Sequence, residues 1–197
     1  MTSRIAALKT SAVYEDLAPF FDRAFGGIDA LVQRYLSVFA RMRHKFPDRR
    51  LVIGHGDPCF SNILYSQTNQ YLKLIDPRGA DNEDELFTEP YYDVAKLSHS
   101  ALGGYDFINQ EKFELAVDDA LGLRLEFQDP PPDWARRLFL DRLTMAGFDP
   151  TLTRLCEASL FISMLPLHID RPRSVLGFAI TASGILDAIE GIRGRAK

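Results

Sequence analysis

The sequence predicts an α+β domain that is mainly helical, with a few short strands gathered around one polar site. Long segments with apolar residues at helical spacing lie at both ends of the chain, whereas short apolar runs are confined to its second quarter. The 197 residues are 46% hydrophobic and 25% charged, which is typical of a globular protein with one well-buried core. The sequence contains no internal repeat and no low-complexity segment.

The first helical region covers residues 14–45. Gly26 and Gly27 interrupt its apolar pattern, so the region predicts two helices, and Asp29 is expected to cap the second. Pro47 is expected to close the region. The apolar positions on which this prediction depends are Leu17, Phe20, Phe21, Phe25, Leu31, Tyr35, Val38, Phe39 and Met42.

Three short apolar runs predict strands in the next part of the chain. Residues 51–53 form the first and lead directly into Gly54, His55, Gly56 and Asp57. Residues 63–65 and 71–75 form the other two, and the polar stretch 66–70 between them has the composition of a hairpin turn. The second strand of this hairpin stops at Asp76.

The rest of the chain is mostly helical by the same criteria. Residues 93–102 predict a helix with Val94, Leu97 and Leu102 on its apolar side. Residues 107–129 are ambiguous, because positions 121–127 alternate like a strand whereas 113–121 are equally compatible with a helix. Three further helices are expected at residues 133–146, 151–167 and 174–192, with Asp133, Thr151 and Ser174 as N-caps.

The overall charge and the cysteines narrow the class of protein. A formal net charge of -4 argues against a nucleic-acid-binding surface, which needs clustered basic residues. The sequence shows no secretory signal and no apolar stretch long enough to cross a bilayer, so a cytoplasmic protein without a membrane partner is expected. Cys59 and Cys156 are expected to be free thiols rather than a disulfide.

The segment with the most chemical information runs from His55 to Asn62 and continues in Asp76. Asp57 and Asn62 lie five positions apart in one loop, and a tight hairpin would return Asp76 beside Asn62. In-line phosphoryl transfer needs a carboxylate that takes the proton of the acceptor hydroxyl, and oxygen ligands that hold Mg²⁺. These three side chains supply both kinds of group.

This pattern resembles the His-x-Asp-x-x-x-x-Asn catalytic loop and metal-binding Asp of the protein-kinase-like superfamily. Gly56 makes it similar to the aminoglycoside phosphotransferase and choline kinase branch. The resemblance implies that Asp57 is the catalytic base and that Asn62 and Asp76 hold Mg²⁺. His55 and Asp93 would support the catalytic loop.

The resemblance also implies a fold and a set of partners. Residues 1–197 would form a single large lobe, with leading helices at 1–50, catalytic and metal loops at 51–80 and a helical subdomain at 81–197. ATP would be the co-substrate and a small-molecule hydroxyl compound the acceptor. A subset linked to bacterial surface-polysaccharide synthesis is also similar, in its Leu-Ile-Asp-Pro-Arg-Gly run and the segment from Asp93 onward.

Two departures from the family pattern stand beside the resemblance. Asp76 is followed by Pro77, Arg78 and Gly79 in place of the Asp-Phe-Gly of protein kinases. Arg78 is expected either to contact a phosphate or an anionic acceptor, or to pair with the acidic residues between 81 and 89. The Gly-rich loop and strand lysine that grip ATP are not found, so a missing N-terminal lobe or a fused domain is expected as a partner.

Two other functions are compatible with the same residues. The first is a kinase-like lobe that serves as a non-catalytic binding or regulatory module, or a fragment that is inactive without its small lobe. The second is a metal-dependent hydrolase that uses His55, Asp57 and Asp76, although such enzymes usually need more His or Asp ligands. The isolated chain is expected to be a competent half-site rather than a self-sufficient kinase.

Overall fold

The computed structural model describes residues 2–48, 51–117 and 123–192, without the side chain of Thr2. Within these ranges the chain is mainly helical and its strands form three two-stranded antiparallel sheets, which confirms the expected α+β, mainly helical class. The described residues form two compact units. The first draws on positions 2–45, 107–117, 123–130 and 158–192, and the second on 46–48, 51–106 and 131–157.

Three helices open the first unit: α1 (Thr2–Lys9), α2 (Ala12–Phe25) and α3 (Ile28–Met42). The predicted pair of helices is confirmed, and α2 ends because Gly26 adopts a left-handed conformation with φ 74°. The expected cap at Asp29 is wrong, since Gly27 occupies the N-cap position. Asp29 instead lies in the first turn of α3, where its carboxylate is 2.5 Å from Lys9 Nζ.

Two small sheets open the second unit. Strand β1 (Val52–Ile53) is followed by the hairpin of β2 (Ile63–Ser66) and β3 (Tyr71–Leu74), and β4 (Phe87–Thr88) returns to pair with β1. The predicted hairpin is confirmed. Its register places Ile63 opposite Leu74, so that Asn62 and Ile75 face each other just beyond the paired strands.

Helix α4 (Pro90–Ala101) follows β4 and begins earlier than expected, because proline is favoured in a first helical turn. The predicted apolar side is wrong for Val94 and Leu97, which are half-buried, while Ser98 and His99 are fully buried. Both of these buried side chains have partners within the second unit. The Ser98 hydroxyl donates to the Glu157 carboxylate, and the His99 ring stacks on the Tyr105 ring with 4.3 Å between the ring centres.

The ambiguous segment after α4 contains a short helix and a second hairpin. Its elements are α5 (Tyr105–Asn109), β5 (Phe113–Val117) and β6 (Leu123–Phe127). Residues 113–117 are therefore a strand, and the helical alternative is wrong for them; positions 118–122 lie outside the described residues. Strand pairing places Phe113 opposite Phe127. Phe113 is fully buried, and the Arg173 guanidinium lies 5.1 Å from the centre of its ring.

The three expected C-terminal helices are confirmed as α6 (Asp133–Met145), α7 (Pro150–Met164) and α8 (Pro172–Glu190), with a 3₁₀ turn at Leu165–His168. Their expected caps are wrong. Asp133 is already helical, and α7 is capped by Asp149, whose Oδ1 accepts the Leu152 N–H at 2.9 Å. Ser174 lies inside α8 and donates to the Ile108 carbonyl. No described helix has the length and apolar character needed to cross a membrane.

The first unit has an aromatic and aliphatic core bordered by an ion-pair cluster. Phe21, Phe161 and Phe178 are fully buried in it. At its edge the Arg34 guanidinium binds Asp187 at 2.6 Å and Glu190 at 2.8 Å. These contacts join α3 to α8, which are distant in sequence.

The second unit contains a buried carboxylate, the buried Cys59 and the half-buried Cys156. Glu157 is fully buried, and burial raises its pKa above the usual carboxyl range although Arg154 Nη1 lies 2.5 Å from Oε1. Cys59 and Cys156 are free thiols, as expected. Burial raises the pKa of Cys156 to about 12.

Candidate active site

The candidate site lies in the second unit, where the loop after β1 meets the segment that leaves β3. Two backbone hydrogen bonds connect these segments: Ile75 N–H donates to the Asn62 carbonyl at 2.9 Å, and Arg78 N–H donates to the His55 carbonyl at 2.8 Å. Asp76 lies between the two bonded residues. The structure therefore holds Asp76 alongside the loop that carries Asp57, in the order that the sequence indicated.

The start of the loop is held by the side chain of Asp93. Its Oδ2 accepts the His55 N–H at 2.6 Å and its Oδ1 accepts the Gly56 N–H at 2.8 Å. Hydrogen bonds to a carboxylate are stronger than those between neutral groups. Asp93 lies in the first turn of α4, so this helix fixes the loop backbone directly before Asp57.

Asp57 forms an ion pair that sequence reasoning missed. Its Oδ1 lies 3.0 Å from Nζ of Lys96, which is three residues after Asp93 on α4. The side chain of Lys96 is only 17% exposed, whereas that of Asp57 is 41% exposed. Because Oδ1 is itself buried, Oδ2 is the carboxylate oxygen left to face solvent or a ligand.

Asn62 ends the 3₁₀ turn Phe60–Asn62 and is oriented by the loop itself. Its Nδ2 donates to the Asp57 carbonyl at 2.9 Å. Since the amide nitrogen is used in this way, Oδ1 is the atom that remains for another partner. The turn is anchored to α4 as well, because the Phe60 N–H donates to the Ser100 hydroxyl at 3.1 Å.

Asp76 has an unusual backbone conformation. Its φ is +56°, in the left-handed region that Asp and Asn tolerate better than most residues. Its side chain is exposed. Such backbone strain is often retained at functional sites, but it does not single out Asp76, because Gln70, Glu111 and Asp129 also have positive φ.

His55 and Arg78 occupy the borders of the site. His55 Nδ1 accepts the Asp57 N–H at 3.3 Å, so the ring contacts the backbone of the loop. Arg78 is exposed and its Nη1 lies 3.4 Å from the Tyr92 hydroxyl. In the described chain it forms no ion pair with the acidic residues between 81 and 89, which lie in an exposed segment.

The site offers two oxygen donors of the kind that Mg²⁺ prefers. Within the described ranges, no group of three His, Cys, Asp or Glu side chains is arranged to hold a metal. Asn62 and Asp76 offer one amide oxygen and one carboxylate. Mg²⁺ is commonly bound by one or two carboxylates and completes its shell with water and substrate phosphates.

The chain was also compared with known proteins. No protein-family model, no curated protein and no solved structure matches it. The chemistry of the site is therefore derived from its own residues.

Proposed function

We propose that the chain carries the catalytic base and the metal ligands of an ATP-dependent phosphotransferase that acts on a hydroxyl group of a small molecule. We also propose that the chain has the fold of the large lobe of protein-kinase-like enzymes. The observation that carries it is the pair of backbone bonds from Ile75 and Arg78 to the loop, which keep Asp57, Asn62 and Asp76 in one short stretch of surface.

In this proposal Asp57 is the general base. Its Oδ2 accepts the hydrogen of the acceptor hydroxyl, and the proton passes to this oxygen as the acceptor oxygen bonds to the γ-phosphorus. The bond to the β–γ bridging oxygen breaks at the same time, and ADP leaves. A positioned general base contributes about 10²–10⁴-fold to a rate.

The remaining residues hold and orient the reactants. Asn62 Oδ1 and the Asp76 carboxylate would hold Mg²⁺, which when bound neutralises phosphate charge. Arg78 is exposed and its contact to Tyr92 is long, so its guanidinium is available to a phosphate or to an anionic acceptor. His55 and Asp93 keep the loop in shape.

The acceptor class follows from the hydroxyl chemistry and from the charge beside the site. Sugars, aminoglycosides and amino alcohols all present a suitable hydroxyl. The exposed acidic segment between residues 81 and 89 favours acceptors that also carry an amine, because carboxylates attract ammonium groups.

Metal binding provides the first test, since it does not depend on the acceptor. The melting temperature of the chain should rise with millimolar Mg²⁺ or Mn²⁺. A free metal concentration of ten times the Kd would stabilise the fold by about 1.4 kcal/mol. Asn62→Ala and Asp76→Asn should remove this rise. The matched controls Asn69→Ala and Asp81→Asn, at exposed positions nearby, should keep it.

Transfer provides the second test. At millimolar Mg-ATP, radiolabelled phosphate should move slowly to members of an acceptor panel of sugars, aminoglycosides and amino alcohols, because the Gly-rich loop and strand lysine that grip ATP are not found in the sequence. Asp57→Asn should reduce this slow rate by at least about 10²-fold. A chain that shows no response to metal and no transfer would refute the proposal and favour a non-catalytic binding module.

A further inference from the structure

One face of α4 contacts the catalytic loop at three successive points. Asp93 binds the amides of His55 and Gly56, Lys96 binds the Asp57 carboxylate, and Ser100 binds the Phe60 amide. Spacings of three and four residues place these side chains in one row on a helix. The middle contact is the only one of the three that reaches a side chain of the loop.

The loop backbone at Asp57 is already fixed without Lys96. The Asp57 N–H donates to His55 Nδ1 at 3.3 Å, and its carbonyl accepts from Asn62 Nδ2 at 2.9 Å. What these bonds leave free is the rotation of the carboxylate about its side-chain torsions. The Lys96 ammonium lies 3.0 Å from Oδ1 as an ion pair without hydrogen-bond geometry, and charge attraction over this distance opposes that rotation.

The stability gained from this ion pair is small. The Asp57 side chain is 41% exposed, and a partly exposed pair contributes little because solvent screens it and the long lysine side chain loses freedom. Lys96 nevertheless has its stem covered, with only 17% of its side chain exposed. A well-placed ammonium with little effect on stability indicates a role in orientation.

We propose that Lys96 is a positioning residue: it holds Oδ1 of Asp57 so that Oδ2 faces the acceptor hydroxyl. This inference rests on the proposed phosphotransferase function and extends it to a residue outside the catalytic loop. Proton transfer needs the accepting oxygen within about 2.6–3.2 Å of the hydroxyl. A carboxylate that rotates freely spends less time in that position.

The test compares four variants of the whole chain with water as the acceptor. Phosphate release from millimolar Mg-ATP gives kcat/KM for Lys96→Met, Lys96→Arg, Asp57→Asn and the double variant Asp57→Asn with Lys96→Met. Lys73→Met is the matched control, because Lys73 is exposed on the adjacent β3. The rise in melting temperature with Mn²⁺ is measured for each variant as a readout that does not depend on turnover.

Lys96→Met should lower kcat/KM by about 10²-fold, the size of effect that a displacement of about 1 Å produces in a catalytic group. Lys96→Arg should recover the rate to within about tenfold, because it restores a cation of similar reach. The double variant should be no slower than Asp57→Asn, since Lys96 acts only through Asp57. The Mn²⁺ response should persist in Lys96→Met, whose metal ligands are unchanged.

Other results would overturn the inference. One is that Lys96→Met keeps the same kcat/KM as Lys73→Met. Another is that Lys96→Met loses its Mn²⁺ response together with its activity. A third is that the double variant is slower than Asp57→Asn alone. A wild-type chain that responds to Mn²⁺ but releases no phosphate also overturns the positioning role and leaves only the metal site. A wild-type chain that does neither refutes the proposed function itself, so the two failures are distinguishable.

Discussion

Replacing Asp93 by alanine would remove both hydrogen bonds that hold the start of the loop from His55 to Asn62. Each bond joins a backbone N–H to a charged carboxylate, at 2.6 Å for His55 and 2.8 Å for Gly56. Hydrogen bonds to charged groups contribute about 1.5–3 kcal/mol each. All three residues are half-buried, so water replaces part of the loss, and we expect the lower limit of about 3 kcal/mol.

Urea denaturation of Asp93→Ala and of the control Asp141→Asn measures this cost. Asp141 is exposed on α6, and its substitution should change the free energy of unfolding by no more than about 0.5 kcal/mol. Asp93→Asn should lie between wild type and Asp93→Ala, because the amide oxygen accepts one N–H while its NH₂ group faces the other. If Asp93→Ala unfolds at the same urea concentration as Asp141→Asn, the carboxylate does not hold the loop.

Three further predictions concern the same unit. Gly56→Ala should lose about 2 kcal/mol of stability in urea denaturation, because φ is +81° and the added Cβ would lie 2.5 Å from the Cβ of Arg78. Gly79→Ala, where the added Cβ would lie in open space, should lose little, and equal losses in the two variants would contradict the reasoning. The pKa of Glu157 is raised in the folded state, so the folded chain binds more protons than the unfolded chain, and the free energy of unfolding falls as pH rises from the usual carboxyl pKa to the raised one. Glu157→Gln should remove this pH dependence in urea titrations, and an unchanged pH dependence would exclude Glu157 as its source. With a pKa of about 12, Cys156 has a thiolate fraction of about 10⁻⁴ at pH 8, and mass spectrometry should find it unlabelled by iodoacetamide in the folded chain and labelled in urea.

Local signals account for much of the fold. The interruption at Gly26 and the polar turn between β2 and β3 act within a few residues, so the sequence predicts them well. The cap of α7 was missed because Asp149 and Thr151 are both suitable residues near its start. Helices α6 and α8 begin after Pro132 and Arg171, where no side chain caps the helix. At α4 the apolar residues did not identify the buried face, since the buried Ser98 has its partner at Glu157, which is distant in sequence.

The candidate site was predictable to the extent that it is encoded by adjacent segments. The hairpin connects Asn62 to Asp76 over a short distance along the chain, and the register of two strands is enough to bring them together. Lys96 and Ser100 were not predicted as members of the site. Their spacing from Asp93 was visible, but which of several charged and polar residues on a helix meets the loop depends on how the helix packs.

The row of contacts from α4 also determines how the loop can move. A segment that is attached to one helix at three places cannot open in part without breaking a bond to that helix. The loop and α4 should therefore form a single cooperative opening unit, and the free energy needed to expose the loop is set by the packing beneath α4. Ala95, fully buried between Asp93 and Lys96 in the sequence, belongs to that packing. Core residues beneath α4, which lie outside the loop, therefore determine how often the loop opens.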